Sequence, residues 1–306
     1  MPDDPGEQFV LRSLLSAAGP RPDAALRVPP GDDCAVLDGG LVLTQDSFVQ
    51  GVHWDERFSP ADVGFRLAMA NLSDLAAMGA TGLWAMLGCS LPAPVDRDWV
   101  RGFSRGLAQG LGGVPLVGGD TTRSPGPAML SLCLGGQLVA EPVTRSGSSP
   151  ADEIWVSGVL GAAAGGYAGI PELLPHFLRP SPPLELGPAL ARERLVSAAM
   201  DLSDGLAQDL PKLCAASGVG ARISADALPL PTALASRPSP LDDALGFGED
   251  FGLLFTAAPE HHAAISALGA RLGVKLTCIG HTTADPSVTL IGADWPTGWT
   301  HFGEPA

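Results

Sequence analysis

Several carboxylate side chains of this sequence stand in segments that carry almost no other charge. Asp74 lies in MANLSDLAAMGA, Asp33 in PPGDDCAVL and Asp46 in LVLTQDSFV. Six more acids lie in apolar or glycine-rich text: Asp32, Asp120, Asp201, Asp204, Glu249 and Asp250. An unpaired carboxylate is costly to bury, so such a residue needs a cation or hydrogen-bond donors. Hard oxygen ligands without a histidine or cysteine cluster favour Mg²⁺ over zinc.

Each of these segments also has a purely structural interpretation. Asp74 can cap its helix or pair with Arg66, and Asp33 can be an ordinary turn residue. Either Asp201 or Asp204 can cap the helix that follows them, but one cap leaves the other acid unexplained. Only 18 lysines and arginines face 33 acidic residues, so basic side chains cannot neutralise the whole set. Because the pattern recurs in five or six segments, we favour metal binding.

Two glycine-rich segments add a possible phosphate signal. The segment GGDTTR (118–123) follows a predicted strand, and GVLGAAAGG (158–166) joins a strand to a helix. Turns of this kind can direct backbone N–H groups at an anion near a helix N-terminus. Neither segment matches the P-loop or the dinucleotide-binding pattern. Tight backbone packing explains each glycine run equally well.

Strand and helix patterns alternate along the chain, which predicts an α/β (α+β) fold of mixed strand order. In the first half we predict strands at 41–49, 82–91, 114–118 and 128–139, and helices at 61–79 and 97–111. In the second half we predict helices at 184–198, 206–217 and 259–272, and strands at 154–158, 220–224, 251–257, 275–280 and 287–292. A polar joint at about 141–153 predicts two domains, 1–142 and 143–306.

Composition excludes several classes of function. The net charge of −15 disfavours binding to nucleic acid, which depends on basic patches. A hydrophobic content of 45% with 17% charged residues excludes general disorder. The start lacks the features of a signal peptide, and the weakly charged stretch 82–95 is too short and proline-broken to span a bilayer. The five cysteines contain no C-x-x-C pair, so we expect reduced thiols in a cytoplasmic protein with no membrane partner.

Taken in order, the motifs resemble those of the thiamine-monophosphate kinase family. They are GDDCAV (31–36), TQDSFVQGVHW (44–54), NLSDLAAMGA (71–80), GGDTTR (118–123), TRSG (144–147), RPSP (179–182), MDLSDGL (200–206), GEDF (248–251) and CIG (278–280). The resemblance extends from about residue 31 to 302. It implies the two-domain PurM-like fold of aminoimidazole ribonucleotide synthetase, in which the N-terminal domain pairs with its copy in a homodimer. The paired sheets form a β-barrel, and the C-terminal α/β domain covers the site.

The resemblance also implies an activity and a set of site residues. The expected enzyme uses ATP to phosphorylate thiamine monophosphate to thiamine diphosphate with several Mg²⁺ ions. The residues expected to bind Mg²⁺ are Asp33, Thr44, Asp46, Asp74, Asp120, Asp201 and Asp204. The residues expected to contact ATP are Gly119, Asp120, Arg145 and Ser203. The residues expected to contact the thiamine substrate are His53, Asp250 and Trp299.

Three positions depart from the family pattern. Gln45 stands where a hydroxyl residue is usual, which puts one metal contact in doubt. Gly252 and Ala162 replace a common glutamate and a frequent aspartate. None of these changes removes an acid that is assigned as a metal ligand.

The chemistry of such a reaction needs no general base. The acceptor is a phosphate oxygen that is already deprotonated near neutral pH, so we expect direct in-line transfer and no covalent enzyme intermediate. On this view the metal-bound acids carry the transfer, His53 positions the substrate, and Trp299 stacks on one of its rings. Both side chains can equally be packing residues.

Two other classes of protein remain open at the level of sequence. One is another enzyme of the same superfamily, although no cysteine precedes Cys34 as selenophosphate synthetase would require. The chain also ends in HFGEPA, not in the terminal cysteine of the hydrogenase-maturation protein. The other class is a non-catalytic acidic protein that binds metal or nucleotide.

Overall fold

The computed structural model describes residues 6–19 and 25–296, and a six-stranded sheet organises its first half. The elements there are α1 (Glu7–Ala18), β1 (Leu26–Val28), β2 (Ala35–Leu37), β3 (Leu41–Val49), α2 (Pro60–Ala77), β4 (Ala80–Pro92), α3 (Arg97–Leu111), β5 (Leu116–Ser124) and β6 (Met129–Leu138). The strand order is β1-β2-β3-β6-β4-β5. Only β4 and β5 are parallel neighbours, so the sheet is mixed.

A second six-stranded sheet organises the rest of the described chain. Its elements are β7 (Glu153–Ser157), α4 (Ala162–Tyr167), α5 (Leu174–Leu178), α6 (Leu186–Glu193), β8 (Ala198–Leu202), α7 (Leu206–Ser217), β9 (Gly220–Ser224), α8 (Pro240–Gly246), β10 (Gly252–Ala257), α9 (His262–Leu272), β11 (Leu276–Thr283) and β12 (Val288–Ile291). The strand order is β12-β9-β11-β7-β10-β8, and only β12 and β9 run parallel. The predicted mixed α/β architecture in two parts is confirmed.

The first sheet is covered on one face only within a single copy of the chain. On β6, Leu130, Leu132 and Leu134 are fully buried beneath α2 and α3, whereas Met129 is 44% exposed. This alternation is the two-residue period of a strand with one covered face. Strand β5, at the edge, is exposed over nearly its whole length. The opposite face and this edge therefore remain open to solvent or to a partner.

The second sheet is buried on both faces. The neighbouring β10 residues Leu254 and Phe255 point to opposite sides and are both fully buried. Leu254 packs in a cluster with residues of α7 and α8, and Phe255 packs in a cluster with residues of α6 and α9. The second domain therefore has a helical layer on each side of its sheet.

Most elements with a clear sequence period lie where the sequence predicts them. The predicted bounds of β3, α3, α7 and β9 agree with those observed. No helix within the described ranges is both long and apolar enough to cross a lipid bilayer. The predicted boundary between residues 142 and 143 falls in the stretch between β6 and β7 and stays a prediction.

Two predictions of local structure were wrong. The helix predicted at 184–198 ends at Glu193 because Arg194 adopts a left-handed conformation with a φ of +56°. After a short connection, Ala198–Leu202 form β8, which pairs with β10. The segment 118–123 is not a turn before a helix, since it lies inside β5 and pairs with β4. Its glycines gave no strand signal, so tertiary pairing decided the conformation.

Two glycines allow helices α2 and α3 of the first domain to cross at close distance. A Cβ atom at Gly106 would lie 1.8 Å from the Ala61 carbonyl oxygen, and one at Gly64 would lie 2.3 Å from the Phe103 oxygen. Neither distance is physically allowed, so these positions require glycine for packing. The helix that carries Asp74 is thereby held directly against its neighbour.

We predict that Gly106→Ala destabilises the protein by about 1–3 kcal/mol, because the added methyl group forces α3 away from α2. Helix propensity alone predicts the opposite sign, a gain of up to about 1 kcal/mol. Urea unfolding measures the difference, with Gly126→Ala as the control, since a Cβ there meets nothing within 4 Å. A stabilised Gly106→Ala variant would contradict this view of the crossing.

Candidate metal centre

Helix α2 brings Asp74 into the interior of the protein. Its N-terminus is fixed by a capping box in which Ser59 and Asp62 accept hydrogen bonds from each other's backbone N–H groups. The helix ends just before Gly79, whose φ of +75° suits glycine. Most of its length is buried, so any polar side chain along it needs a partner inside the protein.

The partner of Asp74 is a hydroxyl group on the neighbouring sheet. Thr44 Oγ1 on β3 donates a hydrogen bond of 2.6 Å to Asp74 Oδ2. The alternative partner Arg66 instead pairs with Glu249. Asp74 is therefore not the salt-bridge partner of Arg66.

Asn71 holds β3 against the same helix, three residues before Asp74. Its Oδ1 atom accepts the backbone N–H of Asp46 at 3.2 Å, and its Nδ2 atom donates to the Leu67 carbonyl oxygen at 2.9 Å. Thr44 and Asp46 lie two residues apart, so both side chains project from one face of β3. The side-chain amide of Asn71 thus brings Asp46 of β3 to the same side as Asp74 of α2.

Asp33 reaches the site from the loop before β2. Its side chain is completely buried, and Arg145 Nε donates to its Oδ1 atom at 3.0 Å. The neighbouring Asp32 accepts the backbone N–H of Arg145 at 3.1 Å. Both acids of the G-D-D segment therefore bind Arg145, which follows the predicted domain boundary.

Asp201 comes from the second sheet, near the end of β8. Its side chain is 3% exposed and accepts a hydrogen bond from the Ser73 hydroxyl group of α2. The backbone N–H of Asp201 donates to Asp33. The second domain therefore places its acid directly against two ligand-bearing segments of the first.

Asp33, Asp74 and Asp201 converge on one point. One carboxylate oxygen from each lies within 4.8 Å of the others. Oδ2 of Asp33 and Oδ2 of Asp201 are buried and have no hydrogen-bond partner among the described residues. Buried polar atoms are nearly always paired, so two unpaired carboxylate oxygens in one acid cluster fit a site that could hold a cation.

Burial raises the pKa of Asp33, Asp46, Asp74 and Asp201, because the fold removes these carboxyl groups from water. The pKa values of Asp33 and Asp46 rise to about 6. Those of Asp74 and Asp201 lie well above their ordinary range, and neighbouring carboxylates add to the effect of burial. Arg145 offsets part of the shift at Asp33. A divalent cation would reverse this pattern by favouring the charged carboxylates.

The donor set fits a hard divalent cation such as Mg²⁺. Within residues 6–19 and 25–296, the clustered ligand atoms are oxygens and the soft candidate beside them is Cys34. Burial and the surrounding aspartates raise the pKa of the Cys34 thiol well above its usual value, so it remains protonated and is a poor ligand. Thr44, which orients Asp74, belongs to the same oxygen-rich surface.

Asp204 lies beside this group but outside it. Its Oδ2 atom pairs with Lys212, which also contacts the buried Asp209 at 3.1 Å. The backbone N–H of Asp204 donates to Asp209 at 3.1 Å. The charge of Asp204 raises the pKa of Asp46, so the two acids are electrostatic neighbours. Metal binding by Asp46 and Asp204 remains a prediction.

Asp120 and Gly119 lie away from the cluster of Asp33, Asp74 and Asp201 within one copy of the chain. Asp46 is opposite Leu132, Leu132 is opposite Leu87, and Leu87 is opposite Gly119. Three strand spacings separate the two ends of this row, about 14 Å along the sheet. Gly119 has a φ of +148°, and a Cβ there would lie 1.9 Å from the Leu87 oxygen. One copy of the chain therefore does not bring Asp120 to the three acids.

His53 follows β3 at the end farthest from Thr44. Its Nδ1 atom accepts the Val49 backbone N–H at 3.0 Å, and its ring stacks on Phe48 with centroids 5.1 Å apart. These contacts fix the orientation of the ring. They place the proton of the neutral imidazole on Nε2.

The remaining predicted site residues have different surroundings. The Asp250 carboxylate accepts the backbone N–H groups of Gly161 at 2.6 Å and Ala163 at 2.9 Å. The glycine-rich segment 158–166, which the sequence suggested as a phosphate-binding turn, thus donates these backbone N–H groups to the side chain of Asp250. Ser203 lies in the turn between Asp201 and Asp204, and Trp299 lies outside the described residues.

Sequence reasoning missed the residues that orient the acids of this site. Ser73 holds Asp201, and Lys212 holds Asp204, but neither stands out in a sequence. The spacing of Asp209 and Lys212, three residues apart on α7, predicts a helix pair but not its link to Asp204. Arg66 and Glu249 are 183 positions apart, and only the fold brings them together.

Comparison with known proteins gives the family. The family described as AIR synthase related protein matches with its N-terminal domain at residues 31–137 and its C-terminal domain at residues 157–293. The thiamine-monophosphate kinase of Escherichia coli (strain K12) is 38% identical over 90% of this chain and 92% of its own length. This chain belongs to the thiamine-monophosphate kinase family. The resemblance seen in the motifs is therefore confirmed.

Solved structures agree with this assignment. The complex of AaThiL with AMPPCP and TMP superposes with a TM-score of 0.85 at 27% identity, covering 97% of each chain. The thiamine-monophosphate kinase of Stenotrophomonas maltophilia K279a has a TM-score of 0.77 at 34% identity, covering 93% of this chain and 95% of its own. The E. coli hydrogenase maturation protein HypE, at 22% identity with a TM-score of 0.72, covers 95% of this chain and 98% of its own and shares the fold alone.

We predict that Mg²⁺ stabilises the protein more strongly at pH 8 than at pH 5.5. The pKa of Asp33 rises from 3.8 to about 6 on folding, so its contribution to stability is present below about pH 4 and lost as the pH rises through 6. Mg²⁺ binds the deprotonated carboxylates and opposes that loss. Thermal unfolding with and without Mg²⁺ at the two pH values measures the effect.

Two variants sharpen this measurement. Asp201→Asn removes one ligand and should abolish most of the Mg²⁺-dependent rise in Tm at pH 8. The exposed Asp226→Asn is the matched control and should retain it. An equal rise in Tm at both pH values would contradict the assignment of these buried acids.

Proposed function

We propose that this protein transfers the terminal phosphoryl group of ATP to thiamine monophosphate, which gives thiamine diphosphate and ADP. The observation that carries the proposal is the convergence of Asp33, Asp74 and Asp201, with two buried oxygens lacking partners, in a chain of this family. Because ATP is made and used inside the cell, we place the reaction in the cytoplasm.

The acidic site suits this reaction because both substrates are anionic. A direct contact between these carboxylates and phosphate would be repulsive, so the acids act as holders of Mg²⁺. Bound Mg²⁺ would screen the charges of the two phosphates and stabilise the charge on the transferred group. Thr44 and Ser73 orient the carboxylates of Asp74 and Asp201.

The chain supplies positioning and no proton transfer at the acceptor. The acceptor oxygen of thiamine monophosphate is already deprotonated near neutral pH, so a general base is unnecessary. The Nδ1 atom of His53 accepts the Val49 N–H, so the neutral imidazole carries its proton on Nε2. The family resemblance assigns this side chain to the thiamine substrate, and we propose that it positions that substrate.

The other binding roles follow from the family resemblance and stay proposals. We assign Gly119, Asp120, Arg145 and Ser203 to ATP, and Asp250 and Trp299 to the thiamine substrate. The Arg145 guanidinium group lies beside Asp33 and is partly exposed, which supports a place near the phosphates. Asp250 binds the backbone of the 161–163 turn, so its support of that turn is part of its proposed role.

We predict that the purified protein converts thiamine monophosphate and ATP to thiamine diphosphate and ADP in equal amounts when Mg²⁺ is present. Asp74→Asn should lower kcat by about 100-fold or more, because it removes a ligand aimed at the transferred charge. Chromatography of both products measures the reaction, and Asp226→Asn is the control. Wild-type protein that forms no thiamine diphosphate would end the proposed function, and full turnover in Asp74→Asn would end the role of the acid cluster.

We also propose that two copies of the chain pair through the open face of the first sheet. Exposed apolar side chains cluster on β4, β5 and β6: Leu83, Met86, Leu116, Val117 and Met129, each between 44% and 62% exposed. An uncovered edge strand with such a patch favours pairing with another chain. The distance of Asp120 from the acids of its own copy supports a role for it at the other copy's site.

We predict that Val117→Glu on β5 converts the dimer to monomers and lowers kinase activity, because the charge would be buried in the interface. Ile291→Glu is the matched control, since Ile291 is also exposed on an edge strand, β12 of the other sheet. Sedimentation velocity measures the oligomeric state. A wild-type protein that sediments as a monomer would contradict the pairing.

A further inference from the structure

Glu249 is the one acid of the G-E-D-F segment that no binding role explains. It adopts a left-handed conformation with a φ of +64°, which is uncommon for a residue with a side chain. Its carboxylate pairs with Arg66 of α2, in the first domain. A strained residue joined to a distant arginine indicates that the surrounding structure fixes this contact.

Arg66 is an unusual residue to find at the centre of a protein. Its side chain is 1% exposed, and its guanidinium group also donates to the Phe177 carbonyl oxygen. The group lies over the rings of Phe58 at 5.5 Å, Phe177 at 5.1 Å and Phe251 at 5.9 Å. Such a buried cation is stable only while its partners stay in place, because an uncompensated buried charge strongly destabilises the fold.

The segment of Glu249 lies along the loop that carries the acids of the second domain. The backbone N–H of Glu249 donates to the Ser203 carbonyl oxygen at 2.8 Å, and that of Phe251 donates to Leu202 at 2.9 Å. A Cβ at Gly248 would lie 2.3 Å from the same Ser203 oxygen, so the two segments are in close contact. Any movement of Glu249 therefore moves the turn between Asp201 and Asp204.

The same arginine stands on the helix that carries Asp74. The centre formed by Asp33, Asp74 and Asp201 draws its acids from both domains, so its geometry depends on how the domains are held together. We propose that Arg66 and Glu249 form an interdomain clamp that sets the position of Asp201 relative to Asp74, and that Arg66 is thereby a positioning residue of the metal centre. This inference rests on the proposed function of that centre.

A second ion pair between the domains offers a matched comparison. Arg179 follows α5, and its Nε atom contacts Asp62 of α2 at 2.5 Å while its guanidinium group lies 4.9 Å from the Phe65 ring. It thus joins the same helix to the second domain with similar contacts. No described contact links Arg179 to the 201–204 turn or to the 248–251 segment. Loss of this pair should weaken domain packing without changing the metal centre.

The test is the binding of Mn²⁺, as a probe for the divalent site, measured by calorimetry on the full chain without substrates. We expect Glu249→Gln and Arg66→Lys to weaken Mn²⁺ binding by about 10-fold. Glutamine removes the charge that pairs with Arg66, and lysine lacks the planar group that contacts both Glu249 and the Phe177 carbonyl oxygen. Arg66→Met should lose more, so lysine should rescue part of the affinity. Arg179→Lys should bind Mn²⁺ like the wild type. Thermal unfolding of each variant verifies that it is folded.

The outcomes separate the clamp from the proposed function. Unchanged Mn²⁺ affinity in both Glu249→Gln and Arg66→Lys would overturn the clamp and leave the pair a purely structural contact. An equal loss in Arg179→Lys would also overturn it, since general domain packing would then explain the effect. Asp201→Asn tests the centre itself in the same titration. If it binds Mn²⁺ like the wild type, the metal centre of the proposed function fails, whatever the clamp variants do.

Discussion

The structure depends on carrying several carboxylates into a place where water cannot stabilise their charge. Asp33, Asp74 and Asp201 lie together with two oxygens unpaired, and burial raises the pKa of each. A chain with 18 basic and 33 acidic residues has few side chains to offset such a group. Arg145 pairs with Asp33 and Lys212 pairs with Asp204, and the oxygen donors between the three acids fit the divalent cation that we propose.

The acids could be found in the sequence because their surroundings are apolar. Asp74 in a helix of leucine, alanine and methionine has no ordinary surface interpretation, and the long periodic helices and strands were predictable for the same reason. Strand β5 was predicted only at its start, by the strand expected at 114–118, because the GGDTTR segment has no strand signal and depends on pairing with β4. The contacts of Ser73 with Asp201 and of Arg66 with Glu249 join residues far apart in sequence, so no local pattern reveals them.

Sharing the centre between two domains makes domain packing part of the site. Asp74 and Asp33 belong to the first domain and Asp201 to the second, and Ser73 reaches across to hold Asp201. The glycines of the α2 and α3 crossing hold one side, and the 248–251 segment holds the other. Asp120 lies on the edge strand β5, three strand spacings from β3, which carries Asp46. One copy of the chain therefore does not bring Asp120 to the acid cluster.

The most direct test of this account is a crystal grown with Mn²⁺, a non-hydrolysable ATP analogue and thiamine monophosphate, with anomalous diffraction recorded at the manganese edge. We expect an anomalous peak between the carboxylates of Asp33, Asp74 and Asp201. An anomalous map that is empty between these three acids, while nucleotide is bound in the crystal, would contradict it.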